Sequence, residues 1–213
     1  VNVSSTPKPL GEPDARRLEE CLAGRGVAVF PTDTVYGICC DPDDERAARR
    51  LYELKGRPVE RPAAVMFFAL EPALSTLSEL QGAERAALMA LLPGPVTLLL
   101  PNPGRRFGPA CGPDPATLGL RVPRLPAHLA ALCSVNRPAM QSSANLSGET
   151  DARRLTDVPE SIRVGADLML DGGELPGSPS TVVDLRDYRS SRAWRIVREG
   201  ALSTVAVERL LAS

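Results

Sequence analysis

"VAVFPTDTVYGICCDPDDERAARRLYELKGRP" runs from Val27 to Pro58, and its reading decides the fold class. Val27–Phe30 is a short unbroken apolar run, the mark of a strand buried on both faces. Pro31 ends it, and the stretch Thr32–Gly37 reads as a polar loop. Asp41 is placed as a helix N-cap, with Pro42 at the first helical position. Asp43, Asp44 and Glu45 then fill the first turn, where acidic groups meet the positive end of the helix dipole. Ala47, Ala48, Leu51 and Leu54 repeat at helical spacing. Gly56 and Pro58 stop the helix, so Lys55 and Arg57 sit at its C-terminal edge. A buried strand, a polar loop and an amphipathic helix in succession predict an α/β chain.

Working outward, Gly11–Gly26 is predicted as a helix with Leu18, Cys21 and Leu22 on one face. Further strands are expected at Ala63–Phe68, Val96–Leu100, Thr117–Pro123, the start of Pro138–Gly148, Ala166–Asp171, Ser180–Leu185 and Trp194–Val197. Helices are expected near Glu71–Leu77, Gly82–Leu91, Leu125–Val135 and Ser203–Leu211. Asn102–Pro115 is a Gly/Pro-rich loop long enough to suggest a function. Strands and helices mix without strict alternation, which predicts a twisted mixed sheet with flanking helices. There is no internal repeat and no linker-like shift in composition. One domain over residues 10–213, after an N-terminal tail over 1–9, is the expectation.

The bulk numbers narrow the function. With 213 residues, 43% hydrophobic and 24% charged, the chain can bury a core without staples. No apolar run of about 18 residues occurs, so no membrane span is expected. The start of the chain lacks a signal-peptide layout. Five cysteines without C-x-x-C spacing argue against zinc and against a disulfide framework, and point to a reducing, cytoplasmic compartment. The vicinal Cys39–Cys40 pair reads as two core-facing small side chains. A net charge of −1 and 4% aromatic content speak against a dedicated nucleic-acid binder. The single histidine, His128, falls inside an expected helix, so a Ser/His/Asp hydrolase is not indicated.

What remains is a set of donors placed beside strand ends: Thr32, Asp33, Thr34 and Tyr36; Lys55 and Arg57; Arg121; Ser142, Ser143 and Asn145; Ser178, Ser180 and Thr181; and Arg198. Hydroxyls, amides, lysine and arginine bind phosphates and carboxylates, and suit chemistry run by positioning and charge neutralisation. Neither G-x-x-x-x-G-K-[ST] nor a strand-following G-x-G-x-x-G is present, so a bound triphosphate would be held by side chains. Lys55 is one of two lysines among 25 basic residues. It has two readings: a compact cation for a phosphate oxygen, or a helix-end charge favoured by the dipole.

Eight motifs occur in one order: PTDTVYGI (Pro31–Ile38), LKGRPVERP (Leu54–Pro62), LPGPVTLLL (Leu92–Leu100), LGLRVP (Leu118–Pro123), SSANLSG (Ser142–Gly148), DGG (Asp171–Gly173), STVVDL (Ser180–Leu185) and IVREG (Ile196–Gly200). Together they resemble the YrdC-type threonylcarbamoyl-AMP synthase family from about Leu10 to Leu202. The resemblance implies an α/β domain around an open electropositive cavity. It implies synthesis of threonylcarbamoyl-AMP from L-threonine, bicarbonate and ATP with Mg²⁺, releasing pyrophosphate. The adenylate would serve the N6-threonylcarbamoyladenosine modification of tRNA through downstream transfer proteins.

Carried over by motif, Lys55, Arg57, Ser143 and Asn145 resemble the family's catalytic and ATP-gripping residues. Arg61, Thr117 and Arg198 add ATP contacts. Thr34, Met66, Arg121, Gln141 and Ser180 resemble the threonine site, with Arg121 facing the amino-acid carboxylate. No protein-held metal is implied, Mg²⁺ riding mainly on the ATP phosphates. Met66 stands where many relatives have a histidine, Arg61 where asparagine is frequent, and Pro179 where a glutamate precedes the S-T-V-V-D run. Larger members carry a second C-terminal domain, which this chain is expected to lack. Two other readings stay open: a tRNA- or double-stranded-RNA-binding factor, and the adenylating module of a carbamoyltransferase.

Overall fold

Nine strands among the described residues, 9–212 of this computed structural model, join in one mixed sheet. The expected tail 1–9, apart from Pro9, lies outside the described residues. The strands are β1 (Ala28–Phe30), β2 (Gly37–Cys40), β3 (Ala64–Met66), β4 (Val96–Pro101), β5 (Thr117–Arg121), β6 (Ala139–Ser143), β7 (Leu168–Met169), β8 (Thr181–Asp184) and β9 (Arg195–Arg198). Their order across the sheet is β7-β1-β2-β6-β3-β5-β4-β8-β9. Parallel pairing joins β1 to β7, β3 to β5 and β4 to β8, and the other neighbours run antiparallel. The helices are α1 (Glu12–Ala23), α2 (Glu45–Leu54), α3 (Leu70–Thr76), α4 (Ala83–Leu91), α5 (Gly108–Cys111), α6 (Glu160–Gly165), α7 (Tyr188–Ser191) and α8 (Thr204–Leu211).

Alternation along the strands makes the two faces of the sheet unlike. Ile38, Cys40, Val65, Leu98, Leu100, Leu118, Leu120 and Met140 belong to the larger apolar cluster. Ala47, Ala48 and Leu51 of α2, Leu88 and Leu91 of α4 and Val207 of α8 belong to it too. On the other face Ala28, Phe30, Cys39, Met66 and Ala139 form a smaller cluster with Leu18 and Leu22 of α1 and with Leu132. Further along that face Thr97, Leu99, Thr117, Gly119 and Gln141 line a cavity instead. The same alternation sends the fully buried Cys39 and Cys40 to opposite clusters, so the vicinal pair is two core side chains.

Several local expectations are corrected. The cap of α2 is Asp44, whose carboxylate accepts from the Ala47 amide (2.8 Å). Asp41 accepts from the Asp43 amide (2.9 Å) in a turn ahead of the helix, so helical geometry begins three residues later than its acidic run suggested. Gly37, read as the end of the loop, is the first residue of strand β2 (Gly37–Cys40), which closes a hairpin with β1. The expected helix over Leu125–Val135 is a 3-10 helix, Ala127–Ser134. α5 sits inside the expected loop Asn102–Pro115, and α6 and α7 were not anticipated.

Candidate functional site

The loop of the β1–β2 hairpin carries Thr32, Asp33 and Thr34 to the end of β5. There, Arg121 Nη2 donates to Thr34 Oγ1 (2.6 Å), Asp33 Oδ1 (2.6 Å) and Thr32 Oγ1 (3.3 Å). Arg121 and Asp33 are both buried, at 3% and 5% side-chain exposure. Asp33 Oδ2 also accepts from the Arg124 amide (2.9 Å), which ties the hairpin loop to the segment after β5. One end of the guanidinium is thus held, while its buried Nε has no partner among the described residues.

The K-G-R stretch has a local cause. Lys55 is the C-cap of α2, and Gly56 adopts φ +56°, a left-handed conformation that glycine takes without strain. The Gly56 amide donates to Glu53 O (3.0 Å) and the Arg57 amide to Tyr52 O (2.9 Å), the two bonds of a Schellman turn. This turn points Lys55 inward. Its ammonium donates to Ser143 O, Asn145 O (2.7 Å) and Asn145 Oδ1 (3.1 Å), and its own carbonyl accepts from the Ser147 amide (3.0 Å). At 2% exposure it is no solvated helix-end charge. Burial, then repulsion from Arg57, brings its pKa down from 10.5 to about 8. Ser143 Oγ donates to Asn145 Oδ1 (2.6 Å), and Asn145 Nδ2 donates to Glu149 O (2.6 Å). Lys55 therefore braces the S-x-N turn from behind. Arg57 lies on the cavity side, donating to Ser142 Oγ (3.1 Å) and Pro62 O (2.6 Å), with its buried Nε also unpartnered among the described residues. Burial lowers the Arg57 pKa.

β8 and β9 close the far wall. Ser180 Oγ shares a hydrogen bond with Thr97 Oγ1 (2.8 Å), and Arg198 Nη2 donates to Ser180 O (2.7 Å) and Oγ (3.2 Å). Thr117 Oγ1 donates to Asp114 Oδ2 (2.7 Å) at the edge of the cavity. Ala64 and Gly119, paired in register, form part of the lining, and their small size helps leave a volume of about 440 Å³ open. A Cβ on Gly119 would meet Ala63 O at 3.4 Å, an ordinary contact. Gly119→Val should therefore fold with an unfolding temperature close to that of the parent, since β-branched residues suit strands. Its methyls would project into the cavity, and any binding of a polyphosphate anion measured by calorimetry is expected to be lost.

The cavity lining carries four arginines (Arg57, Arg121, Arg186, Arg198) and one carboxylate, Asp114. Buried unpartnered donors are costly, about 1–3 kcal/mol each. Of the three such side-chain atoms among the described residues, two are Arg57 Nε and Arg121 Nε; the third is His128 Nε2. The excess of guanidinium charge on the lining suits an anion in the cavity.

Of the residues singled out in the sequence, Arg57, Thr117, Arg121, Gln141, Ser143, Ser180 and Arg198 line this one cavity. Lys55, Asn145 and Thr34 stand one layer behind, each bonded to a lining residue or its backbone. Met66 is fully buried in the smaller apolar cluster, and Arg61 is exposed; neither lines the cavity. Arg186, Thr97 and Asp114 were missed as lining residues. Thr97 sits mid-run in an apolar strand, and its hydroxyl was the available signal.

A family model for Sua5, YciO and YrdC proteins, described as telomere recombination, matches residues 20–200. The chain belongs to the Sua5/YciO/YrdC family. It is 34% identical over 187 residues to the threonylcarbamoyl-AMP synthase of Xanthomonas euvesicatoria, covering 85% of this chain and 97% of the relative. Among solved structures it resembles a variant of Pyrococcus abyssi Sua5 (TM-score 0.82, 27% identity, 94% of this chain). It also resembles the same protein complexed with L-threonine (TM-score 0.79, 29% identity, 94% of this chain). The chain spans 60% and 58% of those two Sua5 chains. Membership in the Sua5/YciO/YrdC family accords with the mixed sheet and flanking helices. Among the described residues no helix is long and apolar enough to cross a membrane.

Proposed function

We propose that this chain is an L-threonylcarbamoyl-AMP synthase, converting L-threonine, bicarbonate and ATP to threonylcarbamoyl-AMP and pyrophosphate. The observation that carries the reading is the excess of positive charge on one cavity lining, four arginines against the single carboxylate of Asp114. Arg121 pairs in register with Met66, four residues along from Pro62, whose carbonyl holds Arg57. At a rise of about 3.3 Å per residue in extended chain, the levels of Arg121 and of the Pro62 carbonyl are roughly 13 Å apart along the sheet, room for two separate anions. The Arg121 end suits an amino-acid carboxylate and the Arg57 end a polyphosphate. The threonine complex of P. abyssi Sua5 supports the first assignment.

The threonine amine attacks bicarbonate, expelling water, or CO₂ derived from it, releasing the amine proton to solvent, to form N-carboxythreonine. The new carboxylate attacks the α-phosphorus of ATP, and pyrophosphate leaves. No protein nucleophile is needed. Arg121, steadied by Thr34 and Asp33, binds the threonine carboxylate, and Ser180 and Gln141 bound that end. Arg57, Ser143 and Arg198 receive the phosphates, with Thr117 nearby. Lys55 and Asn145 hold Ser143 in place. Aligning three reactants in this way can contribute about 7–11 kcal/mol of barrier lowering. The lining offers a divalent cation one carboxylate, Asp114, which already accepts from Thr117 and the Ala116 amide. That donor set fits a Mg²⁺ ion carried by the phosphates rather than one held by the protein. When bound, the ion supplies charge neutralisation on the phosphate oxygens. The adenylate would pass to tRNA threonylcarbamoyl-transfer proteins in the cytoplasm.

The test is pyrophosphate release from ATP and Mg²⁺, with threonine and bicarbonate omitted in turn. Release that requires both is the expected result. Release with carbamoyl phosphate in place of threonine would replace this reading with the carbamoyltransferase one. No release, together with salt-sensitive retention of tRNA, would replace it with RNA binding.

A further inference from the structure

Three of the four cavity arginines have roles in the reading above. The fourth, Arg186, lies just past β8, on the face that Val182 presents to the cavity. Its Nε and Nη2 donate in a fork to the two oxygens of Asp184 (2.9 and 2.7 Å). Asp184 is 7% exposed, and the hydrogen bonds from Arg186 hold its pKa down at about 2. Arg195 also donates to Asp184 (3.1 Å), so that carboxylate keeps a partner if Arg186 is removed. The remaining edge of Arg186 points to Thr117 Oγ1 at 3.5 Å. These bonds run in the plane of the guanidinium, which leaves its faces for a flat ligand.

The position suits one. Ser143 and Thr117 lie two residues beyond the Gln141–Ala64–Gly119 row in the same direction. They sit on strands separated only by β3, about 10 Å apart at two strand spacings. That gap suits the ribose between a nucleotide's phosphates and its base. Resting on the ATP reading above, we propose that Arg186 is the nucleobase-stacking residue of the cavity, its plane fixed by Asp184 and its edge set against Thr117.

The experiment measures calorimetric binding of ATP and of inorganic tripolyphosphate, which lacks a nucleoside, to the parent chain, Arg186→Leu and Arg186→Lys. Thermal unfolding of each variant checks that it is folded. Arg186→Leu should weaken ATP binding about five- to tenfold, in the range of a cation–π contact, and leave tripolyphosphate within about twofold. Arg186→Lys keeps the charge but loses the stacking plane, and should recover only part of the lost ATP affinity. Equal weakening of both ligands would make Arg186 a phosphate contact and overturn the proposal. Unchanged ATP binding, or full rescue by lysine, would overturn it as well. A parent chain that binds neither ligand would instead sink the ATP reading on which it rests.

Discussion

Lys55→Met is expected to lower the rate of threonylcarbamoyl-AMP formation by about 10²-fold, the scale of a misplacement of about 1 Å in a positioned group, while changing stability by less than about 2 kcal/mol. The small stability effect follows from two opposed terms. The fall in the Lys55 pKa from 10.5 to about 8 corresponds to about 3 kcal/mol against the charged form. Its three hydrogen bonds to the Ser143–Asn145 turn recover part of that. Methionine removes both the cost and the bonds, so the change in stability is small, but the turn that presents Ser143 is no longer braced. The sign of the pH dependence follows. Between pH about 8 and 10.5 the unfolded chain keeps a proton that the folded one has lost. Stability relative to Lys55→Met should therefore rise with pH across that window, and be flat below it. The rate at low substrate should fall above pH about 8 as the ammonium loses its proton. Lysine NMR has only two residues to resolve, Lys8 and Lys55, and gives the titration directly. A variant that loses several kcal/mol yet keeps full activity in its folded fraction would make Lys55 a structural staple only.

Arg121→Met carries the second large effect. It removes the carboxylate anchor and strands Asp33, which is 5% exposed. Breaking one half of a buried ion pair costs about 3–5 kcal/mol. For a domain of this size that is a fall of about 10 °C in unfolding temperature. Threonine-dependent pyrophosphate release should disappear. Adding Asp33→Asn removes the stranded charge and should restore much of the stability but none of the activity. Activity returning with stability in the double variant would show that Arg121 supports the fold and does not bind substrate.

The K-G-R, S-x-N and L-R-V-P stretches were legible because each is fixed by short-range rules. A Schellman turn needs glycine between Lys55 and Arg57, and β5 places Arg121 at its end, where the burial alternation of the strand stops. Strand and helix positions followed from hydrophobic period in the same way. Failures came where a partner distant in sequence decides. β2 is four residues with no alternation, since Ile38 and Cys40 are buried on one face and Cys39 on the other. Its strand state comes from pairing with β1 and β6, not from local propensity. β7 was expected as a strand over Ala166–Asp171, but only Leu168 and Met169, the two residues that pair with β1, take up that state.

The same division holds at the site. By itself the sequence determined an α/β mixed-sheet domain, the set of donors for phosphate and carboxylate, the absence of a nucleophile–base pair, and the family. Only the tertiary structure decided which donors share a cavity. It placed Met66 in the apolar core and Arg61 in solvent, turned Lys55 behind the Ser143 turn, and brought Arg186 across to Thr117. Residue type and local period are written in neighbouring letters. Which side chains converge depends on strand order and register, set by burial on both faces of the sheet across segments more than a hundred residues apart.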